Sequence, residues 1–300
     1  MRHIPVLLHE VIDALQLSPG SNVIDCTLGD GGHTAEMLKH TAPNGLVLGI
    51  DADPESLARA KQFLYGEADR VTYVRENFEK LAEIVAEEKF RPVNGILMDL
   101  GWSSPQFEER KRGFSFQNPD EPLDMRYTPH SEMKTAAALL AESSEEELEH
   151  IFHTYGEEKL SKEIAHAIKA YEQSINNTSD LVNIVLDVYR KKLKTDKEVP
   201  WVGGLHPATK VFQALRIAVN DEFGVIERAL PQAIDVLEPG GRLAVISFHS
   251  GEDRIVKHYF KSQEKKTIRI ITKKPIVASE QEAKENTRAR SAKLRVVEKI

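Results

Sequence analysis

A chain of 300 residues, 41% of them apolar, can build one large domain or two modest ones around an ordinary core. Its net charge of −7 argues against a polyanion partner for the chain as a whole, and a single cysteine, Cys26, excludes an internal disulfide and points to a reducing, cytoplasmic setting. No stretch approaches the roughly 18 apolar residues of a membrane span, no Cys/His group has zinc spacing, and the opening MRHIPVLLHEV, broken by Pro5, does not read as a signal peptide.

The first hundred residues alternate between strand and helix patterns. A turn at Pro19-Gly20 precedes a strand over 21–25, and a short helix follows over 34–40. GLVLGID (45–51) is an apolar run of strand length, and 54–64 carries Leu57, Ala60, Lys61 and Leu64 at helical spacing. VTYVR (71–75) is β-branched and aromatic, 81–88 is helical, and GILMDL (95–100) is a further strand. Such a βαβα rhythm predicts a parallel sheet covered by helices on both faces.

The rhythm then stops. Residues 103–129 are rich in Pro, Ser, Gly, Arg and aromatics without a period, and 132–194 is almost wholly helical. Ser143-Ser144 before three glutamates reads as a helix start, as does Asn176-Asn177-Thr178 before Asp180. The α/β rhythm resumes at His206 with a helix over 209–237, a Pro239-Gly240-Gly241 turn, a strand over 243–248, a helix over 253–260 and strand candidates at 267–272 and 294–298. The reading is an open sheet interrupted by a helical insertion.

VIDCTLGDGGHTAEML (23–38) places Gly29, Gly31 and Gly32 in the first turn between strand and helix, where glycines permit close backbone approach to a ligand. Asp51 ends the next strand, twenty residues after Gly31, where an acid can accept ribose hydroxyls. A dinucleotide loop wants G-x-G-x-x-G, but the third position here is Thr34, and His33 occupies the place of a pyrophosphate. A Walker loop is absent. The acid–x₃–G–x–G pattern, Asp25 to Gly31, resembles instead the loop of class I methyltransferases, whose S-adenosylmethionine carries no phosphate. Asn77-Phe78 after the third strand either flanks an adenine or puts Phe78 in the core. Asp99, ending the fourth strand, lies either at the ligand or caps a loop.

Charge is unevenly spread. Residues 254–300 hold 14 Lys and Arg against 5 Asp and Glu, a net of +9, on a body of −16. Arg110, Lys111, Arg112 and Arg126 adjoin Phe114, Phe116 and Tyr127, and Arg288, Arg290, Lys293 and Arg295 lie in the tail. Cations with aromatics can bind phosphates and stack bases. The alternative is a folded loop packing its own aromatics and a strand with outward charges. His249 and Glu252-Asp253-Arg254 sit after the fifth strand, either near the site or as a helix cap with an ion pair.

Ten blocks extend the pattern over nearly the whole chain: HIPVLLHEV (3–11), DCTLGDGGHT (25–34), DADP (51–54), DLGWSSPQF (99–107), RGFSF (112–116), PLDMR (122–126), YGEE (155–158), HPATKVFQALRIAVN (206–220), GGRLAVISFHSGEDRIVK (240–257) and NTRARSAKLRVVEK (286–299). In these the sequence closely resembles the bacterial 16S ribosomal RNA small-subunit methyltransferase H family, also called MraW. It departs from the family pattern at Trp102, Lys210 and Gly251, where the family has a small aliphatic residue, Arg and Leu.

The resemblance implies an α/β class I methyltransferase fold, Rossmann-like with a mostly parallel sheet and an inserted all-helical domain. Residues 1–104 and 206–300 would form the cofactor domain and 105–205 the insertion, which helps recognise substrate. It implies S-adenosylmethionine as cofactor, with contacts at Gly31, Gly32, His33, Asp51, Phe78, Asp99 and Gln106. The activity implied is methylation of the exocyclic N4 of a cytidine in the decoding region of 16S ribosomal RNA. The partner is then the small subunit or its RNA, with no membrane and no metal, and the chain acts as monomer or homodimer in the cytoplasm. Amino-methyltransferases often end the fourth strand in Asp or Asn before a Pro-aromatic loop. Asp99 with Ser103 and Ser104 is therefore the expected group that holds the amine. A nicotinamide oxidoreductase, a non-catalytic RNA-binding module and a methyltransferase acting on DNA or a small molecule remain the rivals.

Overall fold

The computed structural model describes residues 4–100, 111–128, 132–201 and 204–300. It divides into two compact units, one of residues 1–102 and 223–300, the other of residues 103–222.

The first unit is built on a sheet whose strands are β1 (Val23–Asp25), β2 (Val47–Ile50), β3 (Val71–Val74), β4 (Gly95–Asp99), β5 (Arg242–Ser247), β6 (Ile268–Ile270) and β7 (Lys293–Lys299). Their order is β3-β2-β1-β4-β5-β7-β6. The first five run parallel, and β7 is antiparallel to both β5 and β6. This is the Rossmann-like, mostly parallel sheet that the resemblance implied. Both faces are buried, as strands that read as unbroken apolar runs require. Side chains alternate between them: Ile24, Leu48, Ile96, Met98, Leu243 and Val245 enter one core, and Val23, Val47, Leu97, Ala244 and Ile246 the other.

The first core is covered by α4 (Leu81–Glu87), α10 (Glu222–Val236) and α11 (Ser250–Gln263). The second is covered by α1 (Leu8–Leu15) and α2 (Gly32–His40), while α3 (Pro54–Phe63) packs Leu57 and Ala60 against Leu28 and Tyr73. In α3, Asp53 accepts the N–H groups of Glu55 and Ser56 and Pro54 sits in the first turn, which sets the helix start one residue after the DADP acids.

The second unit carries α5 (Ala136–Glu142), α6 (Glu145–Thr154), α7 (Ser161–Lys169), α8 (Thr178–Leu193) and α9 (Thr209–Asn220). Ser144 with Glu147 and Asn177 with Asp180 form reciprocal capping boxes at the starts of α6 and α8. Leu148, Phe152, Ile164, Leu181, Val185 and Leu215 share one core. Phe152 is fully buried there, and truncating such a side chain to alanine costs about 3–5 kcal/mol.

The second junction differs from the sequence expectation. The sequence predicts an insertion over 105–205 and a single helix over 209–237 belonging to the sheet domain. In the structure that helix breaks at Asp221, whose φ is +49°. Its first half, α9, buries Val211, Phe212, Ala214 and Leu215 among the helices of the second unit, so this unit extends to Glu222. Periodicity is continuous across the break because both halves are amphipathic, and the pattern does not say which core each half faces. Two helices had no expectation, α1 and α12 (Glu280–Glu285).

Candidate functional site

The site lies at the carboxyl ends of β1, β2 and β4, where ligands of open α/β sheets sit. β1 ends in Asp25, a buried carboxylate. It accepts the Thr27 N–H at 3.2 Å and the Thr34 hydroxyl at 2.7 Å, which ties the strand end to the first turn of α2. Burial raises its pKa, against the opposing pull of His33 and Thr34. Thr27 reaches the other way as well: its Oγ1 accepts the backbone N–H of Asp99 at 2.8 Å, so the ends of β1 and β4 are bridged by one hydroxyl.

Between β1 and α2 the chain turns at Gly31, whose φ of +80° makes it the left-handed residue before the helix. A Cβ there would lie 3.0 Å from Leu64 Cδ1. Gly32 has a different reason to be glycine: a Cβ would meet Pro5 Cγ at 2.5 Å. The loop is held on its far side by Asp51. Its Oδ2 accepts the Gly29 N–H at 2.9 Å and its Oδ1 the Asp53 N–H at 2.8 Å. Burial nevertheless dominates and raises the Asp51 pKa to about 6.

His33 lies in the first turn of α2 and is buried, with 7% of its surface exposed. Its Nε2 lies 3.0 Å from the carbonyl oxygen of Val6. A carbonyl can only accept, so Nε2 carries the hydrogen. Burial lowers the pKa of the ring, which keeps it neutral near pH 7 and leaves Nδ1 bare. Nδ1 is 3.9 Å from Oδ2 of Asp99. The ring edge that carries Nδ1 is thus turned toward the Asp99 carboxylate at the end of β4. Arg288, in the turn Thr287–Ser291, lies in the field of Asp99, and burial lowers its pKa.

Phe78 opens the short turn Phe78–Lys80 after β3, capped by the Asn77 side chain, and packs partly against the first core. Of the residues expected at the site, Gly31, Gly32, His33, Asp51 and Asp99 therefore line the strand ends, and Phe78 divides itself between core and surface. Ser103, Ser104 and Gln106 lie outside the described residues, as do Trp102 and Arg110. Thr27 was missed. It lies in the loop between β1 and α2, and a threonine there carries no signal of which backbone its hydroxyl will meet.

The basic residues have mostly internal partners. In the second unit Arg126 pairs with Asp124 through two hydrogen bonds of 2.7 and 2.8 Å, and Arg112 donates to the Arg126 carbonyl at 2.6 Å. Phe114 stacks on Tyr127 at 5.7 Å, and Phe116 on His206 at 4.7 Å. Lys111 is exposed. In the first unit Arg295 is buried and bound to Asp253 at 2.7 and 3.1 Å, with Lys293 3.8 Å from the same carboxylate. Arg290 donates to the Ala283 carbonyl. His249 caps α11 in a reciprocal box with Glu252. The cap-and-ion-pair alternative thus accounts for His249, Glu252 and Asp253, and folded packing for most of the cation–aromatic run.

The profile of the MraW methylase family matches residues 1–300. The ribosomal RNA small subunit methyltransferase H of Heliobacterium mobile is 46% identical over 318 residues, covering 99% of this chain and 99% of that protein. The proteins of the same name from Heliobacterium modesticaldum and Dictyoglomus turgidum are each 45% identical, over 99% of this chain and 98% and 97% of theirs.

Proposed function

The chain belongs to the MraW methylase family, and from that premise we propose that it methylates the exocyclic N4 of a specific cytidine in the decoding region of 16S ribosomal RNA, with S-adenosylmethionine as methyl donor. The chemistry of the strand ends fits this cofactor. Asp51 and Asp99 stand on either side of the β1 loop, two carboxylates that suit hydroxyl and amino hydrogens rather than a phosphate. This pair of carboxylates flanking a left-handed glycine turn is the observation that carries the reading. When bound, the cofactor supplies an electrophilic methyl group on a sulfonium.

The residues of the chain do the rest. Asp51 accepts ribose hydroxyls while its own oxygens hold the Gly29 and Asp53 amides, so loop and ribose acceptor are fixed together. Gly31 and Gly32 bring backbone close to the ligand, and Phe78 and Gln106 complete the contacts. The N4 of cytosine is a poor nucleophile because its lone pair is delocalised into the ring. Asp99, with Ser103 and Ser104, accepts the amine hydrogens and localises that pair. Holding amine and methyl in line supplies most of the acceleration. A splayed or single-stranded cytidine is the target, since pairing occupies N4. The helical unit contributes to recognition of the RNA. The described residues contain no helix long and apolar enough to cross a membrane, and an enzyme acting on ribosomal RNA in bacteria works in the cytoplasm.

The deciding experiment offers labelled S-adenosylmethionine with naked 16S RNA, DNA and assembled small subunits. Label entering the RNA of one of the first or third substrates, at N4 of cytidine, is expected. Absence of transfer to both, or equal transfer to DNA, sinks the reading. Thermal-shift titration separates the oxidoreductase rival: S-adenosylhomocysteine stabilises the protein and NAD does not.

A further inference from the structure

The sequence blocks at the two chain ends, HIPVLLHEV and NTRARSAKLRVVEK, have no part in the chemistry above. In the structure they meet. Residues 4–7 form a short strap that ends in Leu7, a fully buried residue with φ +53° and ψ +36° immediately before α1. A left-handed backbone is unfavourable for leucine and persists only where its surroundings over-determine it. Here the surroundings are carboxyl-terminal. Glu282 Oε1, on α12, accepts the Leu7 N–H at 2.7 Å, a charge-assisted bond, and Asn286 Nδ2 donates to the Ile4 carbonyl at 3.1 Å. Asn286 is itself buried.

The other side of the strap faces the glycine loop. Pro5 occupies the space a side chain at position 32 would need, and the Val6 carbonyl fixes Nε2 of His33. Glu282 also acts electrostatically on the His33 ring, so the two lie in one neighbourhood. The left-handed turn at Leu7 and the carbonyl of Val6 are adjacent in the chain. Whatever fixes Leu7 therefore aims that carbonyl.

We propose that Glu282 and Asn286 are positioning residues for the cofactor site: by clasping residues 4–7 they hold the His33 ring in one tautomer and one orientation and press the strap against Gly32. The proposal rests on the reading of the strand ends as an S-adenosylmethionine site. Neither residue need touch cofactor or RNA.

The test uses the full-length chain with Glu282→Ala, Glu282→Gln and Asn286→Ala. Two quantities are read: calorimetric affinity for S-adenosylhomocysteine, and the ¹⁵N–¹H long-range spectrum of His33 in cofactor-free protein, assigned with His33→Gln. Glu282→Ala is expected to weaken binding about tenfold and to mix the His33 tautomers, whereas Glu282→Gln, which keeps an acceptor for the Leu7 N–H, stays within about threefold of wild type. Unchanged affinity and an unchanged His33 spectrum in Glu282→Ala overturn the clasp. Equal losses in the Ala and Gln variants with the tautomer intact also overturn it, since that pattern is plain destabilisation. Should Glu282→Ala fail to fold, Asn286→Ala carries the same two measurements. Wild-type protein that does not bind S-adenosylhomocysteine overturns the site reading instead, and the His33 spectra still decide the clasp.

Discussion

Oδ2 of Asp51 accepts the backbone N–H of Gly29 at 2.9 Å across 22 residues of chain. One carboxylate thereby serves two strands: it ends β2 and anchors the loop that leaves β1. The same oxygen pair is the proposed ribose acceptor, so its ionisation links loop geometry to cofactor affinity.

Burial raises the Asp51 pKa to about 6 from the ordinary 3.8, despite two backbone hydrogen bonds. The folded protein thus holds this proton more tightly than the unfolded chain. The group's contribution to stability is complete below 3.8 and is lost as pH rises through about 6. Cofactor binding has the opposite sign, because ribose hydroxyls bond best to the ionised carboxylate. Affinity for S-adenosylhomocysteine is expected to be about tenfold weaker at pH ~5 than at pH ~7, the fraction ionised setting the loss. Calorimetry across this range checks it, with Asp51→Asn as the control that flattens the dependence. A profile for Asp51→Asn as steep as that of wild type assigns the titration to another group.

Gly31 is constrained twice, by its φ of +80° and by Leu64 lying 3.0 Å from where a Cβ would sit. Gly31→Val is expected to cost about 1–3 kcal/mol of stability from the left-handed backbone alone. The sheet should still fold, since the turn lies beyond the end of β1, and S-adenosylhomocysteine binding should disappear. Thermal melts with and without the ligand separate the two effects. A folded Gly31→Val that binds normally shows that the loop does not approach the cofactor.

Strands β1, β2 and β4 were legible because each is a short apolar run ending in an acid. Asp25, Asp51 and Asp99 mark the ends of β1, β2 and β4 in the sequence as they do in space. The break between α9 and α10 was not legible, because Asp221 interrupts an amphipathic period without changing it, and only the left-handed backbone records the turn. The antiparallel course of β7 was equally hidden, since a strand's residues carry no direction. Within the site, Asp51 and His33 were visible as residue types in a pattern. Their actual partners, the Gly29 amide and the Val6 carbonyl, are backbone atoms, which sequence chemistry does not distinguish. Glu282 lies 275 residues from Leu7, and no local signal connects them.

Arg295 tests the basic tail. Its guanidinium is buried and doubly bonded to Asp253, and although burial opposes ionisation of that acid, Arg295 and its neighbours hold the Asp253 pKa below the ordinary value. Removing Arg295 takes away both of its hydrogen bonds and leaves Asp253 only the longer Lys293 contact, at a cost of up to about 3–5 kcal/mol. Arg295→Ala should therefore lower stability in denaturant unfolding. The slope of RNA affinity against salt, which counts phosphate contacts, should not change. A slope reduced by about one with stability intact identifies Arg295 as an RNA contact instead.

Asp99 is the most direct probe of the chemistry. Its backbone is fixed by the Thr27 hydroxyl, and that bond survives any change of the side chain. Asp99→Ala should therefore keep the end of β4 in place while deleting the acceptor that faces Nδ1 of His33. Turnover at saturating cofactor and RNA is expected to fall about 10²–10⁴-fold, the usual contribution of a positioned acceptor of protons. Asp99→Asn retains one oxygen acceptor and should fall less, since it can still hold one amine hydrogen. The separation of KM from kcat decides the role. If only the KM for S-adenosylmethionine rises and turnover at saturation is near normal, Asp99 orients the cofactor and other groups hold the amine.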